Sequence, residues 1–191
     1  MSFLGGSEPE FDDENEFVSE HVPKPGAFLA DRDVLAGEDH VAVHRHAADA
    51  FEEHGVYDAT FGYNLARLNL DPRHPDAGFR YAEEADDPTT LRAEFTPTTA
   101  FCPQAEPLAV GAFRAFDAVA DHGYDLVRVR VDPSLNGSEA VNDRLERLES
   151  GDGEVGDGGA SDDDRADADP AGVDRTGAQD DDGAGGPTTP F

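Results

Sequence analysis

The chain has 191 residues, room for one ordinary domain with tails, and a formal net charge of −29, with 43 Asp and Glu against 14 Lys and Arg. Lys24 is its only lysine and isoleucine is absent. This balance argues against direct nucleic-acid binding, which needs clustered Lys and Arg for phosphate contacts. The single cysteine, Cys102, excludes an internal disulfide framework and a four-cysteine zinc site.

An arginine-for-lysine, carboxylate-rich composition suits a protein working in molar salt, where the Debye length is about 3 Å and like charges barely repel. The competing reading of the charge is an acidic mimic, or a binder of basic partners. No apolar run approaches the roughly 18 residues of a membrane span. Met1 to Gly6 lacks the basic and apolar regions of a secretory signal. The expectation is a cytoplasmic protein with no membrane partner.

Residues 1–36 are acidic and read as partly disordered, although Phe11, Phe17, Val18, Phe28 and Leu29 offer apolar groups that could dock on a domain. From Gly37 to His54, Val43, Ala47, Ala50 and Phe51 recur at helical spacing, and Gly55 is a natural stop. Asp58 to Leu70 alternates at Phe61, Tyr63 and Leu65, which predicts a strand with a register slip near Ala66. Asp71 to Asp76 is a turn. Phe79–Tyr81 and Leu91–Thr96 predict a short hairpin, joined by an acidic loop around Asp86-Asp87-Pro88.

A helix follows Cys102, with Leu108, Ala109, Ala112, Phe113, Phe116, Val119 and Ala120 on one apolar stripe. Pro103 suits a first helical position; Pro107 requires either an irregular first turn or a later start. Tyr124–Val131 reads as a strand, so strand, helix and strand predict a right-handed βαβ crossover. Ser138 is expected to cap a last helix through Val141, Leu145 and Leu148. Residues 151–191 are Gly, Asp, Ala and Pro with few apolar groups, the composition of a disordered tail. No internal repeat is visible. The predicted fold is α+β: one domain over 37–150, a small mixed sheet with helices packed on it, and acidic tails.

Candidate chemistry gathers at Thr96-Pro97-Thr98-Thr99-Ala100-Phe101-Cys102-Pro103. A cysteine placed where a helix begins meets unpaired N–H groups and the positive end of the dipole, which favour thiolate, a nucleophile and a soft metal ligand. The bland alternative is a small buried hydrophobe. Thr96, Thr98 and Thr99 either orient the sulfur or satisfy the loop backbone. His40 and His44, one turn apart, have metal-ligand spacing, but no cysteine or third ligand accompanies them, and they read better as surface or half-buried histidines. No serine–histidine–acid arrangement, P-loop or dinucleotide fingerprint is present.

The segment Glu94-Phe95-Thr96-Pro97-Thr98-x-x-x-Cys102-Pro103 resembles the signature loop of a small iron–sulfur assembly family. That family includes SufT-like proteins, cytosolic iron–sulfur targeting factors and the accessory protein of phenylacetate oxygenase. Val129-Arg130-Val131-Asp132-Pro133, followed by Ser138-Glu139-Ala140-Val141-Asn142, is similar to the strand and helix start that close the domain in the targeting factors. Asp71-Pro72-x-His74-Pro75 is similar to an Asp-Pro turn upstream. The likeness covers about residues 71–148, best over 91–148, as in a divergent, salt-adapted member. Glu139 is followed directly by Ala140, where the eukaryotic targeting factors carry an extra His, and the segment between Pro75 and Phe95 is shorter than usual.

The resemblance implies a non-enzymatic accessory factor in the maturation of iron–sulfur proteins, with Cys102 as its reactive thiol. His74, Glu139 and Asn142 would stand around it, although capping near Ser138 is the better account of the last two. No permanently bound cofactor is implied; the cargo is a transient cluster or iron with Cys102 as a passing ligand. One thiolate cannot hold a cluster that needs four ligands. A homodimer, the assembly machinery or an apo client would supply the rest, or Cys102 performs exchange during handover. The alternatives are an interaction module of the same fold without thiol chemistry, and a thiol enzyme or carrier.

Overall fold

The structure, a computed structural model, describes residues 11–119 and 121–152. The expectations for residues 1–10, for 153–191 and for Ala120 fall outside the described residues. What is described is mixed α and β.

The first helix, α1 (Gly37–Glu53), begins with Glu38 and Asp39 at the positive end of its dipole. It buries Val43, Ala47, Ala50 and Phe51, as the spacing predicts. The hairpin is longer than the sequence suggests. β4 (Gly78–Glu84) and β5 (Asp87–Thr96) pair antiparallel across a two-residue turn at Ala85-Asp86, so Asp87 and Pro88 belong to the strand rather than to a loop. α2 (Ala105–Ala118) then leads to β6 (Leu126–Val131), which lies parallel to β5 with Ala93 opposite Val129 and Phe95 opposite Val131. The βαβ unit is therefore present. A two-residue strand, β1 (Asp33–Val34), pairs with the outer side of β4, giving the order β1-β4-β5-β6.

Strand alternation divides this sheet into two unlike faces. Phe79, Tyr81, Leu91, Ala93, Phe95, Val127, Val129 and Val131 are buried in one core with Phe51 of α1 and Phe116 of α2. The opposite positions carry charge: Arg80, Glu94 and Arg130 form one row, and Arg92 stands beside Arg128. Residues 26–32 cover this face. The Phe28 ring lies 4.6 Å from the Arg92 guanidinium and 5.4 Å from that of Arg130, and Arg32 pairs with Glu84 at 2.6 Å. Alongside β6, α3 (Ser138–Glu149) supplies Glu146 and Glu149 to Arg130 and Glu149 to Arg128.

The stretch of β4 left uncovered by β1 and the outer strand β6 carry the same device. Asn142 of α3 accepts from Val131 N–H at 2.7 Å and donates to the Val131 carbonyl at 3.0 Å. On the far side, Asn69 accepts from Phe79 N–H at 2.6 Å and donates to the Phe79 carbonyl at 2.7 Å. Gly78 (φ 112°) lets Asn69 come that close, because a Cβ there would overlap the amide.

Three expectations are corrected. Asp58–Leu70 is not a continuous strand: β2 (Tyr57–Asp58) and β3 (Tyr63–Asn64) form a separate ribbon, and Leu65–Leu70 is a 3-10 helix. Asn64 starts that helix by accepting from Ala66 N–H at 2.9 Å. Leu65 and Leu68, three apart, are buried while Arg67 between them is exposed, so the apolar spacing was that of a 3-10 turn. Ser138 is not the cap of α3; Gly137 holds that position, and Ser138 is the buried first helical residue. Pro103 precedes α2, while Pro107 stands third in its first turn, where the missing N–H costs nothing. No helix among the described residues is long and apolar enough to cross a membrane.

Candidate functional site

β5 and β6 are parallel and end one residue apart in register, so the segments that leave them emerge at one end of the sheet. The turn 97–104 is fastened there on two sides. Asn136 N–H donates to the Ala100 carbonyl at 2.9 Å. Gln104 accepts from Ala59 N–H at 3.1 Å and donates to Thr60 Oγ1 at 3.0 Å.

Cys102 is a free, half-buried thiol in this turn, packed against the margin of the core. It does not begin the helix. α2 starts at Ala105 with Gln104 in the cap position, and the Ala105 N–H is spent on the Cys102 carbonyl at 3.2 Å. The dipole argument for a thiolate therefore weakens, since the effect is confined to the first helical turn. Its neighbour Phe101 is 81% exposed, a large apolar ring held out to solvent on a fastened turn.

Thr96 and Thr98 are half-buried and Thr99 is exposed on the same turn. His74 enters the sheet from the same end, ahead of Gly78, but its ring packs against Phe61 at 4.7 Å. Glu139 is exposed on the first turn of α3, and the Asn142 amide is occupied by Val131. The structure thus gathers Cys102, the three threonines and the 132–138 turn at one end. Among the described residues no side-chain hydrogen bond joins His74, Glu139 or Asn142 to Cys102, and no three His, Cys, Asp or Glu side chains form a metal-holding group.

One feature went unread in the sequence and a second was placed wrongly. Glu94 is 1% exposed on the charged face, where it accepts from Gly26 N–H at 2.5 Å and Phe28 N–H at 3.2 Å. Burial pushes its carboxyl above the usual range; the Gly26 bond opposes this and the charge of Asp132 adds to it. Alternation along β5 was the available signal, since Glu94 falls between Ala93 and Phe95.

The second feature is the histidine pair, which is buried and not near the surface: His40 is 3% and His44 5% exposed. Their rings stack at 5.7 Å. His44 accepts from Tyr81 O–H through Nδ1 and donates from Nε2 to the Ala66 carbonyl, both at 3.0 Å. His40 Nδ1 accepts from Arg80 at 3.1 Å. Burial holds both rings neutral, His44 down to about 4 against the pull of its Ala66 bond. His40 falls to about 3, with the neighbouring His44 and Arg80 adding to the effect of burial. These contacts spend both nitrogens of His44 on the fold.

A family model, described as a domain of unknown function (DUF7998), matches residues 9–158. No curated protein and no solved structure matches the chain.

Proposed function

The chain belongs to the DUF7998 family; from the resemblance of its Cys102 loop and Ser138 segment to iron–sulfur assembly proteins, we propose that the domain is a non-enzymatic accessory factor in the maturation of iron–sulfur proteins, with Cys102 assisting cluster transfer or targeting. The observation that carries this reading is the bond from Asn136 N–H to the Ala100 carbonyl. It joins the two segments on which the family resemblance rests, the Thr-Pro-Thr loop with Cys102 and the strand-to-helix turn before Ser138.

Cys102 is a free, half-buried thiol on a turn fastened on two sides. As a thiolate it is one soft ligand for iron. The cluster is cargo: a donor-side ligand is replaced by the Cys102 sulfur, which is replaced in turn by a client cysteine. The other ligands come from the assembly partner, the apo client or a second copy of the chain. The proposed setting is the cytoplasm.

A second reading is favoured by Phe101, whose exposed ring suits a protein-interaction module without thiol chemistry. One pair of variants separates the two. In the native host, Cys102→Ser lowers the activity of cluster enzymes such as aconitase while their protein levels hold, and Phe101→Ala does so more weakly. If Cys102→Ser leaves cluster-enzyme activity at the wild-type level while Phe101→Ala lowers it, the interaction module replaces the thiol reading.

A further inference from the structure

A recess of about 610 Å³ opens beside the 59–62 segment, lined by Phe11, Thr60, Phe61, Tyr63, Arg67 and Arg73 together with Gly62. That volume lies within the roughly 300–1,000 Å³ of small-molecule sites. In a chain whose acids outnumber its bases three to one, two guanidiniums and no carboxylate line it.

Two carboxylates stand behind the recess, each engaged within the fold. Asp71 is 1% exposed, grips Arg73 through two bonds of 2.7 and 2.6 Å, and accepts from Tyr63 O–H at 2.9 Å. Asp58 turns back onto the N–H groups of Thr60 and Phe61, at 2.7 and 3.3 Å. Arg73 is thereby neutralised and fixed. Arg67 is not: it is exposed and makes no ion pair among the described residues. Its guanidinium lies 4.6 Å from the Phe11 centroid. Stacking on a ring uses the face of a guanidinium and leaves its in-plane N–H donors unspent. Phe11 meets Tyr63 edge-on at 5.5 Å, and Tyr63 stacks with Phe61 at 5.4 Å, so an aromatic wall continues from the cation.

We propose that this recess binds a small organic acid, its carboxylate held by the Arg67 fork and its apolar or aromatic body laid against Phe11 and Phe61. A carboxylate is preferred to a phosphate dianion because only one of the two cations lacks an acidic partner. The site is independent of Cys102, whose turn touches it only through Gln104 and Thr60.

The test is ligand-observed saturation-transfer NMR on the full chain in molar KCl, with benzoate, benzyl alcohol and inorganic phosphate as probes at constant ionic strength. Benzoate shows transfer, benzyl alcohol does not, and phosphate at equal concentration fails to displace benzoate. Arg67→Gln weakens benzoate binding about tenfold, the size of a lost charge-assisted bond. Arg45→Gln, at an exposed arginine on α1 that does not line this recess, leaves binding unchanged. Circular dichroism of both variants matches wild type. Equal transfer from benzyl alcohol, displacement by phosphate, or Arg67→Gln binding within about twofold of wild type overturns the assignment.

Discussion

Gly26 shows how close packing on the charged face constrains a single position. A Cβ there would lie 2.6 Å from oxygens of both Glu94 and Asp132. The obstacle is carboxylate that is already engaged, and Glu94 cannot move without releasing the N–H groups of Gly26 and Phe28. Gly26→Ala is therefore expected to cost about 1–3 kcal/mol, the usual range for overpacking. Urea denaturation in high salt measures it, and a loss under about 0.5 kcal/mol would place the substitution with ordinary surface changes. The sequence offers no hint of this, because Glu94 and Gly26 stand 68 residues apart.

At the level of the elements, α1 is tied to the sheet and to the 3-10 helix by a polar network inside an otherwise apolar contact. His44 reaches Tyr81 and Ala66, His40 reaches Arg80, and the Phe17 ring covers His40 at 4.9 Å. Both imidazoles are depressed in the folded state, to about 3 and about 4, from an ordinary value near 6.5. The unfolded chain takes up protons first as pH falls, so stability is complete above about 6.5 and declines until the folded values are reached. The expected loss is on the order of 2 kcal/mol per buried histidine by about pH 5. Denaturation midpoints across that window check it, and the His40 and His44 ring proton shifts should stay constant from about pH 7.5 to 5.5 in the folded protein.

What was legible among these elements follows from how each is buried. α1, the hairpin, α2, β6 and α3 each turn one apolar face inward, so their periodicity shows in the residues. Leu65–Leu70 has a three-residue apolar spacing, but Phe61, Tyr63 and Leu65 just before it alternate, and that run masked the turn. The outward face of the sheet carries arginine and glutamate matched to residues 26–32, and such pairing leaves no apolar rhythm. Cys102 stands out in the sequence as the single cysteine, directly before Pro103. Its offset from the helix does not, because the start of α2 depends on which N–H groups the turn consumes.

For the whole molecule the dominant quantity is the charge of −29. The ion pairs of Arg32, Arg92, Arg128 and Arg130 draw acids onto one side of the sheet, and most remaining carboxylates are left to repel one another. Raising KCl from about 0.1 M to about 2 M shortens the screening length severalfold. The thermal midpoint is expected to rise steadily across that range. A flat or falling midpoint would mean that the excess charge serves recognition of a basic partner and not tolerance of salt.

The two asparagine clamps bear on how the molecule meets others. Phe79, Phe95 and Val131 share one row across three strands, and Asn69 and Asn142 extend that row on either side. At the end of the sheet where Cys102 emerges, an arriving extended peptide finds the N–H and carbonyl of Phe79 in β4 and of Val131 in β6 already paired with asparagine amides. Any partner approaching that end would be met by the turns and their side chains, and the domain is protected there from templating the strand-upon-strand growth that leads to fibres.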